Sequence, residues 1–323
     1  MTFASQLKLL LVTEKYLLAR PSIHEALSRA FNVTTLFVED GWPRRVSEIR
    51  HYKEYTAILW FVRYKLLRQA ETFDWGDYAG ERILYDQDAL RFRTSVGFLP
   101  PDTNWPGTFK RHGFSLLLAT GKRTAEQLQE VGVPAVWWPK AFDPVRLFDL
   151  GGPRSGICHF GTLYPSRRAM LHYLQRMGLP IEHLVIPYED LNQVLNQYSA
   201  LVVCTLANTS RTLSSRLLNR LHPEWGLRLT SGPEPMLKLF EGAGAGCAVF
   251  CDSMPELEDL GLIDGDGIIE WKDFSDLEGK LRYYLDRPET LRRIAARGSL
   301  VCRERHTWDA RMGQLRDIVL GHT

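Results

Sequence analysis

Apolar residues in this chain fall mostly in short unbroken runs, set apart by polar stretches with helical spacing. Leu7–Thr13 (LKLLLVT), Val33–Val38, Tyr55–Val62 (YTAILWFV), Arg82–Tyr85, Phe114–Ala119 (FSLLLA) and Ala135–Trp138 each read as a strand. A run without alternation is what a strand covered on both faces of a parallel sheet requires. Pro21-Ser22 opens a helix through His24, Leu27 and Ala30, and another helix spans Thr124–Val131. Strands alternating with helices predict parallel βα units, hence a doubly wound α/β sheet.

A second series of the same kind begins at Ile157. The strand ICHF leads into the loop Gly161-Thr162-Leu163-Tyr164-Pro165 and a helix opened by Ser166-Arg167-Arg168. His183–Ile186, Leu201–Cys204, Ala248–Cys251 and Ile268–Trp271 read as further strands, and Phe274–Leu285 and Leu291–Cys302 as helices. Gly151-Gly152-Pro153 is a linker by composition, so the expected units are 1–148 and 149–305. Residues 207–230 hold a helix pattern with Leu213, Leu217 and Leu221 on one side and Arg211, Arg216 and Arg220 on the other. That stripe reads either as an interaction surface or as a solvated face.

Composition narrows the classes. The chain has 323 residues, is 45% hydrophobic and 24% charged, and carries a net charge of +2. That is an ordinary globular balance with no electrostatic footprint for nucleic acid. Cys158, Cys204, Cys247, Cys251 and Cys302 are scattered among apolar segments. They lack the spacing of a zinc site and read as buried free thiols of a reducing compartment. No apolar run approaches the ~18 residues of a membrane span, and the first residues form a strand pattern, not a signal peptide. A cytoplasmic location is expected, with peripheral membrane contact left open.

The chemistry concentrates in Ser231–Glu256, SGPEPMLKLFEGAGAGCAVFCDSMPE. A Gly-Pro break, with Pro235 suited to a first helical turn, precedes a short apolar helix bearing Lys238 and Glu241. Three apart, these two share a face. Gly242, Gly244 and Gly246 end the helix and allow close approach of a ligand or of a neighbouring element. Helix N–H groups and the lysine suit a nucleotide diphosphate, and the glutamate can accept from two ribose hydroxyls. The competing reading is a solvated Lys–Glu pair. A second phosphate-facing element is the glycine loop with its basic helix start, where Gly161 and Arg167 stand.

The order basic residue, x, Phe, Glu, x, Ala/Gly, x, x, Gly, short strand resembles the donor-binding segment of GT-B glycosyltransferases. The likeness is greatest to the group-1 type and its spore-maturation-protein-like (CgeB-like) branch, where an arginine usually stands in place of Lys238. Group-1 members often carry a second glutamate eight positions before the one matched by Glu241. That position is Pro233 here, with Glu234 one place off. The ending His306-Thr307-Trp308 with Arg311 also resembles the family's tail. The resemblance implies two Rossmann-like domains facing across a cleft, with a final helix, about 306–323, crossing back to the first. It implies donor binding by Gly161, Arg167, Tyr188 (beside the base), Lys238, Glu241 and Gly242. The activity implied is transfer of a hexosyl or related sugar from a nucleotide-diphosphate sugar to an unidentified acceptor. A metal is not obligatory, because arginine, lysine and helix dipoles can stabilise the departing diphosphate. No cofactor beyond the nucleotide-sugar co-substrate is expected.

Two Asp-x-Asp pairs invite a metal reading. Asp264 and Asp266, inside DGDG, look like a turn. Asp86 and Asp88 follow a strand at its carboxyl end, where open sheets place ligands. Asp88 is therefore a candidate general base, and His24 is its rival. A non-catalytic nucleotide- or partner-binding protein of the same fold and a nucleotide-sugar epimerase are the alternatives.

Overall fold

The computed structural model describes residues 7–15, 17, 22–41, 43–62, 66–67, 70–86, 105–163, 165–205 and 234–321. By contacts, the described residues form two units: 7–139 with 309–321, and 140–205 with 234–308. Asp88 and the arginine stripe of 207–230 lie outside the described residues.

The first unit is built on β1 (Lys8–Thr13), β2 (Asn32–Phe37), β3 (Ala57–Phe61), β4 (Glu81–Asp86), β5 (Leu116–Ala119) and β6 (Ala135–Trp137). All six are parallel, in the order β2-β1-β3-β4-β5-β6. The runs in β1 and β3 are unbroken because both faces are covered, and Leu9–Val12 and Ala57–Trp60 are buried. The edge strand β2 is only half-buried, which matches its mixed sequence NVTTLF. Helices α1 (Ser22–Ala30), α2 (Trp105–His112) and α3 (Lys122–Glu130) belong to this unit. Its core is aromatic, with Trp60 edge-on to Phe73 at 5.0 Å and to Phe114 at 5.6 Å.

The second unit contains β7 (Ile157–Phe160), β8 (Ile181–Leu184), β9 (Ala200–Val203), β10 (Ala248–Asp252) and β11 (Ile269–Trp271), parallel in the order β11-β10-β9-β7-β8. Its helices are α4 (Pro165–Arg176), α5 (Leu191–Leu195), α6 (Leu237–Gly244), α7 (Glu256–Asp259), α8 (Phe274–Leu285) and α9 (Pro288–Arg305). β8 starts two residues earlier than the apolar run suggests. Its register with β7 runs from Ile157↔Ile181 to Phe160↔Leu184, which leaves Val185 84% exposed. α6 begins at Leu237, not Pro235, because Met236 takes the extended cap conformation.

The linker composition of 151–153 is real, but the flanking chain is held. Phe148 N–H donates to Asn192 Oδ1 at 2.9 Å, Leu150 N–H to Asn196 Oδ1 at 2.8 Å, and Arg154 to Ala245 O at 2.7 Å. Phe142 bonds alongside the tail. Its N–H donates to His306 O at 3.1 Å, and Trp308 N–H donates to Phe142 O at 3.0 Å. His306 is itself fixed, its Nε2 donating to Leu260 O at 2.7 Å and its ring 5.3 Å from that of Phe240. The last helix, α10 (Trp308–Val319), passes into the first unit from Asp309. There Arg311 Nε donates to Pro139 O at 2.7 Å, and Arg29 pairs with Asp309 at 2.8 Å.

Candidate functional site

In the second sheet the winding reverses between β7 and β9. Open parallel sheets bind ligands outside the carboxyl ends of the strands at such a reversal. Here the two strands also part. Their ladder consists of Ile157↔Ala200 and Cys158↔Leu201, although the strands run on to Phe160 and Val203. The corresponding ladder of the first sheet, β1 with β3, extends from Leu9↔Ala57 to Thr13↔Phe61.

Basic side chains take backbone carbonyls around this opening. His159 Nδ1 meets Val202 O at 2.8 Å, and His183 Nε2 meets Gly161 O at 2.8 Å. A carbonyl only accepts, so each of those ring nitrogens carries the proton. Arg167 donates Nε–H to Cys204 O at 3.1 Å and an Nη1–H to Thr162 O at 2.8 Å. Lys238 Nζ donates to Phe160 O and stands 5.1 Å from the centroid of the Phe160 ring. Lys238 is 7% exposed, Arg167 2% and Glu241 1%. The solvated Lys–Glu pair is thereby ruled out.

Gly161 owes its identity to this cluster. Its φ is +90°, and a Cβ there would lie 3.1 Å from Lys238 Nζ. Gly242 serves differently, since a Cβ at that position would fall 2.2 Å from Leu201 Cδ2. Its missing side chain lets α6 pack on β9. Gly244 does the same toward Phe142, whose ring atoms stand 2.4 Å from the site of a Cβ. Of the two approaches its glycines allow, the helix uses the one toward neighbouring elements. Tyr188 is half-buried in a single turn, Tyr188–Asp190, beyond the carboxyl end of β8. His24, in the first unit, lies with Nε2 3.1 Å from Thr35 Oγ1 on β2.

The DGDG segment is a turn with its carboxylates on protein partners. Gly265 has φ +76°. Asp264 Oδ1 accepts from Glu270 N–H at 2.8 Å, and Asp266 pairs with Arg293 at 3.3 Å and Arg297 at 3.2 Å. Among the described residues, no group of three or more His, Cys, Asp or Glu is placed to hold a metal.

Sequence reasoning missed His159 and Asp252. Burial, and after it the Lys238 charge, holds the His159 imidazole down to about 3. Its one signal was an imidazole inside an otherwise apolar strand. Asp252 ends β10 and accepts from Thr205 N–H at 2.7 Å and Thr205 Oγ1–H at 2.6 Å, fixing the chain just beyond β9.

The fold is that of the GT-B class, two parallel α/β units each wound about its own reversal. Residues 167–317, which include Arg167, Lys238 and Glu241, match the glycosyl transferase-like family model. Among solved structures, the sucrose-phosphate synthase of Thermosynechococcus elongatus is similar at 12% identity and a TM-score of 0.59, over 98% of this chain and 100% of that one. Anabaena HepE in complex with UDP and glucose is similar at 11% identity and 0.62, over 98% and 100%. HepE in complex with UDP-glucose gives 12% and 0.61, over 97% and 99%. Comparison with curated protein sequences finds no match. Among the described residues, no helix is long and apolar enough to cross a membrane.

Proposed function

We propose that this chain is a glycosyltransferase that moves a sugar from a nucleotide-diphosphate donor to an acceptor, with the donor held by the second unit. The observation that carries the reading is the opening between β7 and β9, where the buried cations Lys238 and Arg167 meet the backbone at a topological reversal. Two fixed cations and a helix start suit a diphosphate, because preorganised positive charge stabilises the charge that develops on the leaving group. Glu241, on the same helix as Lys238, would accept from the ribose hydroxyls. Tyr188, after β8, would lie against the base.

HepE, which shares the fold, is seen with UDP and with UDP-glucose. That supports a nucleoside-diphosphate hexose or a related sugar as donor. The donor helix and the His306-Thr307-Trp308 tail support a place in the CgeB-like branch. We assign no metal to the transfer. Asp88 and His24 remain the candidate bases toward an acceptor of the first unit, and the five buried thiols suit a reducing, cytoplasmic setting.

The test is turnover of nucleotide sugars with no acceptor added, with and without EDTA. Slow release of free sugar and nucleoside diphosphate, unchanged by chelator, is the expected result. An epimeric nucleotide sugar as product would make the chain an epimerase, and tight binding with no turnover would make it a binding protein. Loss of activity in EDTA with rescue by Mg²⁺ would return Asp86 and Asp88 as metal ligands.

A further inference from the structure

The two sheets share one winding and differ where ligands bind. In the first, β1 and β3 stay paired to Thr13↔Phe61, and Thr13 Oγ1 adds a bond to Phe61 O at 2.9 Å. In the second, pairing of β7 with β9 stops at Cys158 and Leu201. One residue further along β7, His159 reaches across the opening and donates Nδ1–H to Val202 O at 2.8 Å. The ring is fully buried and lies 6.1 Å from that of His183, their planes 29° apart. Among the described residues, His159 Nε2 has no hydrogen-bond partner. With its pKa held down to about 3 by burial and by Lys238, the ring is neutral in ordinary buffers and adds no third charge beside the two cations.

Lys238 is bonded to Phe160, the last residue of β7, and Arg167 spans the opening, from Cys204 O just beyond β9 to Thr162 O in the loop after β7. The separation of β7 from β9 therefore bears on where both charges stand. We propose that His159 is a positioning residue that ties β7 to β9 across the opening, fixes the spacing of Lys238 and Arg167, and so sets how tightly a diphosphate is held. The inference rests on the donor-site reading.

Calorimetric titration of the full chain with UDP, ADP and GDP, and with the matching nucleosides, tests it. His159→Asn keeps an N–H where Nδ1–H stands, whereas His159→Leu removes the bond and keeps much of the volume. The loss expected in His159→Leu is about tenfold or more for the diphosphate, with the nucleoside held within about twofold. His159→Asn should restore most of the diphosphate affinity. If His159→Leu does not fold, His159→Gln, whose amide falls nearer Nε2, takes its place with the same expectation. Undiminished diphosphate affinity in the Leu or Gln variant overturns the proposal. So does an equal loss for both ligand types, which marks a general structural role, and so does an Asn variant as weak as Leu. A wild-type chain that binds none of the three diphosphates refutes the donor-site reading itself and the proposal with it.

Discussion

Gly161→Ala separates the backbone role of this glycine from its role beside Lys238. At φ +90° a side chain is strained, and a Cβ would sit 3.1 Å from Lys238 Nζ. The backbone term is on the order of 1–2 kcal/mol. The contact is with the end of a flexible side chain, so the lysine can move aside, but moving gives up its place on Phe160 O. A hydrogen bond to a charged group contributes about 1.5–3 kcal/mol, so nucleoside-diphosphate affinity should fall by about tenfold or more. Gly156→Ala is the control. It lies at the opposite end of β7 with φ +75°, and its Cβ would meet only Tyr198, at 3.8 Å. Both variants should lower the melting temperature by about 2–8 °C, given ~2–4 °C per kcal/mol for a domain of this size. Only Gly161→Ala should weaken UDP, ADP or GDP in calorimetry. Equal destabilisation with undiminished nucleotide affinity in Gly161→Ala would refute the placing of Lys238 in the site.

The two charges of α6 should separate by ligand. Lys238→Ala is expected to weaken a nucleoside diphosphate by about tenfold and leave the nucleoside nearly untouched, whereas Glu241→Gln should weaken both; unchanged affinities in all four titrations would remove the donor site from this helix. Burial pushes the Cys247 thiol up to about 12 and raises Cys158 and Cys251 as well. The native chain at pH 8 should therefore be inert to a thiol-disulfide reagent and react at all five cysteines once unfolded; rapid native labelling would contradict their burial. Acid should destabilise the fold through two histidines, His159 held down to about 3 and His112 to about 4, both mainly by burial. Between those values and the ordinary 6.5 the unfolded chain binds the protons and the folded chain does not. Stability is thus full above pH 6.5 and falls as pH drops below it, by about 2 kcal/mol per histidine at pH 5. A melting temperature equal at pH 7 and pH 5 would sink this assignment, and His159→Asn should flatten the dependence.

Both windings were legible because their signal is local. AVFC and LLLA are unbroken apolar runs, ICHF is interrupted only by His159, and helices with turn signals separate them. The β8 strand was misplaced by two residues because Val185 and Ile186 extend its apolar run. Only pairing with β7 shows that the strand ends at Leu184. Lys238, Glu241 and Gly161 stood out as candidates because the helix and the loop each carry a recognisable local pattern. What each glycine faces was not legible, since Leu201, Phe142 and Lys238 are brought to Gly242, Gly244 and Gly161 only by the sheet. Arg167 read as phosphate-facing at a basic helix start, but its burial on the carbonyls of Cys204 and Thr162 was not legible, because those carbonyls are brought to it only by the sheet. His159 escaped notice because a histidine in a buried strand gains meaning only when the point of reversal is known.

The manner in which the cations are held bears on how the site should respond to change. Lys238 and Arg167 rest on backbone carbonyls at the ends of β7 and β9, so their positions are inherited from the sheet. A one-residue slip in a parallel strand moves a carbonyl by about 3.3 Å, more than a hydrogen bond tolerates. Changes that alter strand spacing should thus reach the ligand as directly as changes to the side chains that touch it. The first sheet, paired to the ends of β1 and β3, gives no such opening between those strands. That contrast, and not the winding, which both sheets share, is the reason for proposing the second unit as the holder of the diphosphate.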